Sequence, residues 1–139
     1  MLGTRFVASS ESLAHAMYKQ CLVEASIEST SLTLCFDGSW PHAAHRVLRN
    51  RTLEAWEAAG NPPPGSRPGE GDVLASLPNG KSFTRYDIAP ALQSMEGSVL
   101  ELCLYAGCSV ADINDVRPAA ELINTIWHEC ERALSDGQA

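Results

Sequence analysis

Apolar and polar residues repeat at two periods along this chain, and the places where the period changes mark its expected elements. In SESLAHAMYKQCLVEA, residues 10–25, Leu13, Ala16, Met17 and Cys21 recur at helical spacing. That predicts a helix with Ser9 or Ser10 as its cap. A period of two replaces it in SLTLCF, residues 31–36, where Leu32, Leu34 and Phe36 predict a strand with one buried face and Cys35 pointing away. Asp37-Gly38 then turns the chain, and Ser39 is placed to cap a helix from about Trp40 to Ala59, ended by Gly60. At about 100° per residue, Ala44, Leu48, Thr52, Ala55, Trp56 and Ala59 fall on the buried side of that helix.

The segment over 60–72 is too rich in proline and glycine for regular structure and reads as a surface loop. VLASL and KSFTRY then flank Pro78-Asn79-Gly80, a strong hairpin signal because Asn and Gly tolerate positive φ. Asp87 to Met95 predicts a short helix that accepts Pro90 only in its first turn. SVLELCLY, residues 98–105, reads as a strand or a helical segment, its length favouring strand. In the last helix, with Pro118 near its start, Leu122, Ile123, Ile126, Trp127, Cys130, Ala133 and Leu134 share an arc of about 140°. That predicts a core-facing stripe with His128 on the opposite side. The order α-β-α-β-β-α-β-α predicts an α+β fold: one small domain over 1–139, with a small, mostly antiparallel sheet packed by helices.

Composition agrees with an ordinary globular chain, 45% hydrophobic and 19% charged over 139 residues. It contains no run of apolar residues long enough for a membrane span, and MLGTRFVASSES lacks the apolar core of a secretory signal. Five cysteines form an odd and unframed set, which predicts reduced thiols and a cytoplasmic location. The net charge of −7 lies wholly beyond residue 86, where nine acids face only Arg117 and Arg132. A surface of that sign repels phosphate backbones and anionic lipid, so neither nucleic acid nor membrane is expected as a partner.

The richest chemistry lies in CFDGSWPHAAHR, residues 35–46. Asp37, His42 and His45 could approach one metal ion, and would then support metal-dependent hydrolysis through an activated water. The spacing is no standard zinc signature, however, and the glutamate of H-E-x-x-H is missing. The simpler reading is a strand-turn-helix junction. Cys103 and Cys108 are too loosely spaced for a zinc pair, with Cys108 the expected exposed thiol and Cys130 an expected core thiol. There is no G-x-S-x-G turn, and PGSRPGEG lacks the lysine of a P-loop, so no cofactor is expected.

On the outer side of the expected 40–59 helix, Arg46, Arg49 and Leu53 form a basic stripe around an apolar residue. With Trp40 and His42 they make a candidate protein interface. These observations weigh against an enzyme. They point to a small acidic cytoplasmic protein that works by binding another protein, as an inhibitor, an immunity or anti-defence factor, or a secretion chaperone does. Self-association as a homodimer is compatible with its charge asymmetry. The metal-dependent hydrolase on Asp37, His42 and His45 is the alternative.

Overall fold

The computed structural model describes residues 2–38 and 40–136. Its elements are α1 (Gly3–Val7), α2 (Ala16–Glu24), β1 (Thr30–Thr33), β2 (His45–Leu48), α3 (Arg51–Ala58), β3 (Val73–Ser76), β4 (Ser82–Thr84), β5 (Glu96–Gly97) and α4 (Ala119–Asp136). Short 3-10 turns cover Ile27–Ser29, Val99–Glu101 and Cys108–Asp112. This order differs from the expected α-β-α-β-β-α-β-α. The strands form two separate sheets, β1-β2 and β4-β3-β5, both antiparallel throughout.

The largest local correction concerns 40–59, which is no single helix. His45–Leu48 pairs with β1 in the register Thr30↔Leu48 to Thr33↔His45, so tertiary pairing overrides the helical periodicity of that stretch. Helix begins only after Asn50, whose side-chain oxygen accepts from the Leu53 amide at 3.1 Å. Gly60 follows α3 at φ 82°, in the left-handed region that closes helices. The proposed Ser39 cap lies outside the described residues.

Strand β1 is also inverted relative to expectation. Leu32 and Leu34 are exposed, whereas Thr30, Thr33, Cys35 and Phe36 are buried. The alternation breaks just after β1, where the Cys35 amide bonds back to Thr33 Oγ1, so Cys35 and Phe36 both turn inward. In α2 the buried pair is Tyr18 and Leu22, one position on from the expected face, and Met17 is exposed. Residues 12–14 are not helical. They run beside 91–93, with His15 N–H donating to Ala91 O and Gln93 N–H to Leu13 O. That pairing, together with Pro90 and the Asp87 side chain bonded to the Ala89 amide, replaces the short helix expected over 87–95.

The hairpin forms as its turn residues require, with Gly80 at φ 85° and the Leu77 amide donating to Lys81 O at 2.8 Å. Residues 98–105 divide between the 99–101 turn and an extended stretch, and Tyr105 in the latter bridges Val47. Two buried clusters result. The larger holds Tyr18, Leu22, Leu48, Leu74, Phe83, Met95, Leu104 and Val110, and the smaller holds Cys35, Phe36, Val47, Leu53, Tyr86 and Cys103. Helix α4 contributes only Leu122 to the interior, while Ile123, Trp127, Cys130 and Leu134 are exposed. The expected core-facing stripe is therefore uncovered among the described residues. None of their helices is long and apolar enough to cross a membrane.

Candidate functional site

The residues of the 35–46 stretch separate in space. Asp37 pairs with Arg67, whose guanidinium also binds Glu70 and stacks 4.4 Å above the Tyr86 ring. Tyr86 in turn donates to Pro68 O at 2.8 Å, and Trp56 Nε1 donates to Pro62 O at 3.0 Å. These contacts tie the proline-rich loop to the body and occupy Asp37 structurally. His42 is exposed, at φ 65°. His45 packs between the rings of Phe36 and Tyr105, with Nδ1 2.9 Å from Ala43 O and Nε2 buried without a partner. Among the described residues no three His, Cys, Asp or Glu side chains are grouped to hold a metal ion.

The interface candidates separate likewise. Trp40 is exposed, Arg46 donates to Thr30 Oγ1 at 3.0 Å, and Arg49 pairs with Glu57. Leu53 is wholly buried in the smaller cluster, so it cannot be the apolar centre of an exposed stripe. The displacement follows from α3 starting at Arg51, which changes every wheel position counted from Trp40.

The thiols divide by environment. Cys35 and Cys103 are buried, and burial pushes each pKa up to about 12, which keeps both protonated and poor nucleophiles. Cys108 is exposed as expected, but Cys130 is exposed too, because the α4 face carrying it is uncovered.

What sequence reasoning missed is a cleft of about 430 Å³ between α2, the β2–α3 corner and the 99–101 turn. Its floor is apolar, formed by Leu48, Val99 and Leu104, all almost fully buried. Asn50 ties the two sides together. While its oxygen caps α3, its Nδ2 donates to Leu100 O at 3.0 Å and Leu102 O at 2.8 Å. A second tie runs from Arg85 to Glu101 at 2.7 Å and to Thr52 Oγ1 at 3.0 Å, with Thr52 donating to Glu101 O at 2.8 Å. Arg51 stands on the same cleft, and among the described residues no side-chain hydrogen bond or ion pair engages its guanidinium. The Asn50 cap was the one part readable in advance, since Asn before a helical octad is a favoured N-cap. The carbonyls it reaches lie some fifty residues away and carry no local signal.

Residues 1–129 match the family model described as nitronate monooxygenase. The chain belongs to the nitronate monooxygenase family. Among solved structures it is similar to FabK from Thermotoga maritima, at 25% identity and a TM-score of 0.66, over 98% of this chain and 38% of that one. A point mutant of the same protein matches at 22% identity and a TM-score of 0.59, over 98% and 34%. The chain thus spans little more than a third of the length of these neighbours. No curated protein matches it.

These matches correct two expectations. The family and its FabK neighbours point to a TIM-barrel-like enzyme fold, not to an independent α+β class. That architecture is invisible here because all the described sheet strands pair antiparallel, whereas a barrel repeats parallel strand and helix. Family membership also overturns the binding-protein assignment, in its inhibitor, immunity and chaperone forms, and the hydrolase alternative with it, since both lie outside an oxidoreductase family.

Proposed function

We propose that this chain serves an oxidoreductase reaction of the nitronate monooxygenase kind. The observation that carries this reading is the family match over residues 1–129, which takes in every described element except the last turns of α4. The geometry supports it in a more limited way. The chain offers a sizeable apolar cleft, of the volume typical of small-molecule sites, cross-braced by Asn50 and by the Arg85–Glu101–Thr52 network. Such bracing holds the walls of a site at fixed separation, which ligand positioning requires. A cytoplasmic location belongs to the same proposal, supported by five cysteines of which none is disulfide-bonded.

The test is oxygen uptake by the purified chain on addition of a small alkyl nitronate, with nitronate loss followed in parallel. Uptake that scales with protein concentration and saturates with nitronate is expected. A chain that is folded by circular dichroism yet consumes neither oxygen nor nitronate would overturn the reading.

A further inference from the structure

We propose that the pocket between α3, the proline-rich loop and the 34–42 segment binds a small neutral aromatic carboxamide, of which benzamide is the simplest probe. This pocket shares none of its described lining residues with the cleft above, and the proposal does not rest on the oxidoreductase reading. It encloses about 310 Å³, and its apolar wall is built by Leu34, Pro41, Trp56 and the run Pro62-Pro63-Pro64. That wall is formed in advance of any ligand. Trp56 Nε1 donates to Pro62 O at 3.0 Å, Tyr86 donates to Pro68 O at 2.8 Å, and Arg67 reaches back to Asp37, so the loop is held at both ends. An indole and proline rings offer flat apolar faces, which an aromatic ring covers well. The polar groups then select among aromatic ligands. Asp37 and Arg67, the carboxylate and the guanidinium of the described lining, are paired with each other, and Glu70 also binds Arg67. An anion would meet the Asp37 carboxylate and a cation the Arg67 guanidinium, so a neutral ligand fits best. Asn61 and His42 lie on the same lining, both exposed, and no side-chain hydrogen bond engages either among the described residues. Asn61 is set in place at φ 57°, with its own N–H donating to Trp56 O at 3.0 Å. Its side-chain amide presents a donor and an acceptor side by side. A primary carboxamide presents the same pair in reverse order, so the two join through two hydrogen bonds while the attached ring covers the wall.

Titration of the whole chain followed by NMR at the Trp56 indole N–H tests this, with benzamide as ligand and benzoate and N,N-dimethylbenzamide for comparison. Benzamide is expected to shift that resonance saturably. Benzoate lacks the donor and carries a charge, and the dimethyl amide lacks both donors, so each should bind at least about fivefold more weakly. Asn61→Gly keeps the left-handed backbone and removes the amide, and should bring benzamide and its dimethyl analogue within about twofold of each other. Asn61→Asp, of the same shape but without the donor, should erase the preference likewise. Leu34→Asp, at a half-exposed position on the wall, should weaken both amides without touching the core. Equal affinity for the two amides in the parent chain, or a preference that survives at Asn61→Gly or Asn61→Asp, would overturn the proposal. So would the absence of a saturable Trp56 shift in a chain whose spectrum is that of a folded protein.

Discussion

Asn50 makes three hydrogen bonds with one side chain, and its removal should cost more than the loss of any ordinary helix cap. Its oxygen receives the Leu53 amide at 3.1 Å, and its nitrogen supplies Leu100 O at 3.0 Å and Leu102 O at 2.8 Å. Loss of an Asn cap destabilises by about 1 kcal/mol. Each of the two side chain-to-carbonyl bonds adds about 0.5–1.5 kcal/mol, because the half-buried carbonyls are left without their donor. Asn50→Ala should therefore lower stability by about 2–4 kcal/mol, read as a fall in the urea midpoint at unchanged m-value. Asn50→Asp separates the contributions. Aspartate caps as well as asparagine but brings only acceptors to two carbonyl oxygens, so it keeps the first contribution and loses the other two. It should still cost about 1–3 kcal/mol. If Asn50→Asp lies within about 0.5 kcal/mol of the parent, the side chain is only a cap and the cleft is not braced as described.

Three further outcomes follow from other parts of the molecule. Gly97→Ala should destabilise by several kcal/mol in thermal unfolding: its φ is 117°, and a Cβ there would lie 2.4 Å from Leu74 O on the neighbouring strand, so a Tm within a degree or two of the parent would refute this. Burial raises the folded-state pKa of Cys35 and Cys103 from 9.0 to about 12, so their contribution to stability is complete below pH 9 and disappears as pH rises towards 12. The unfolding free energy from urea titration should fall from pH 8 to pH 10.5, by up to about 1.4 kcal/mol per thiol per pH unit, and by less in Cys35→Ala; an equal fall in both proteins would count against the thiols. On α4, Leu122→Ala should cost about 2–5 kcal/mol and Trp127→Ala less than about 0.5 kcal/mol, the reverse of what their sizes suggest, because only Leu122 is buried.

The contrast on α4 shows what periodicity can and cannot report. Leu122, Ile123, Ile126, Trp127, Cys130 and Leu134 do form one stripe, and the helix they predict is present over Ala119–Asp136. A stripe states that a face favours cover, but not what supplies it, and here most of it remains exposed. The hairpin at Asn79-Gly80 was legible for the opposite reason, since the positive φ of Gly80 is a local demand that only a few residues meet. Between these extremes lies 45–48. His45-Arg46-Val47-Leu48 carries no strong preference of its own, and its pairing with Thr30–Thr33 decides it from fifteen residues away. Once that segment became strand, the start of α3 moved to Arg51 and Leu53 passed from the expected surface to the interior.

The same dependence on distant partners separates groups that are neighbours in sequence. CFDGSWPHAAHR draws the eye because its polar residues are adjacent in sequence, yet Asp37 turns to Arg67 and His45 to the Phe36 and Tyr105 rings. Groups that converge in space came instead from three separated segments: Asn50 and Thr52, Arg85, and the 99–102 backbone with Glu101. No two of those segments are near enough in sequence for a spacing rule to connect them. A short motif can mark a site only when one turn or one helix carries most of its groups, as a P-loop does. Where a cleft is closed by residues fifty positions apart, no short stretch carries most of its groups. The match to the family model, over residues 1–129, takes in all three of those segments.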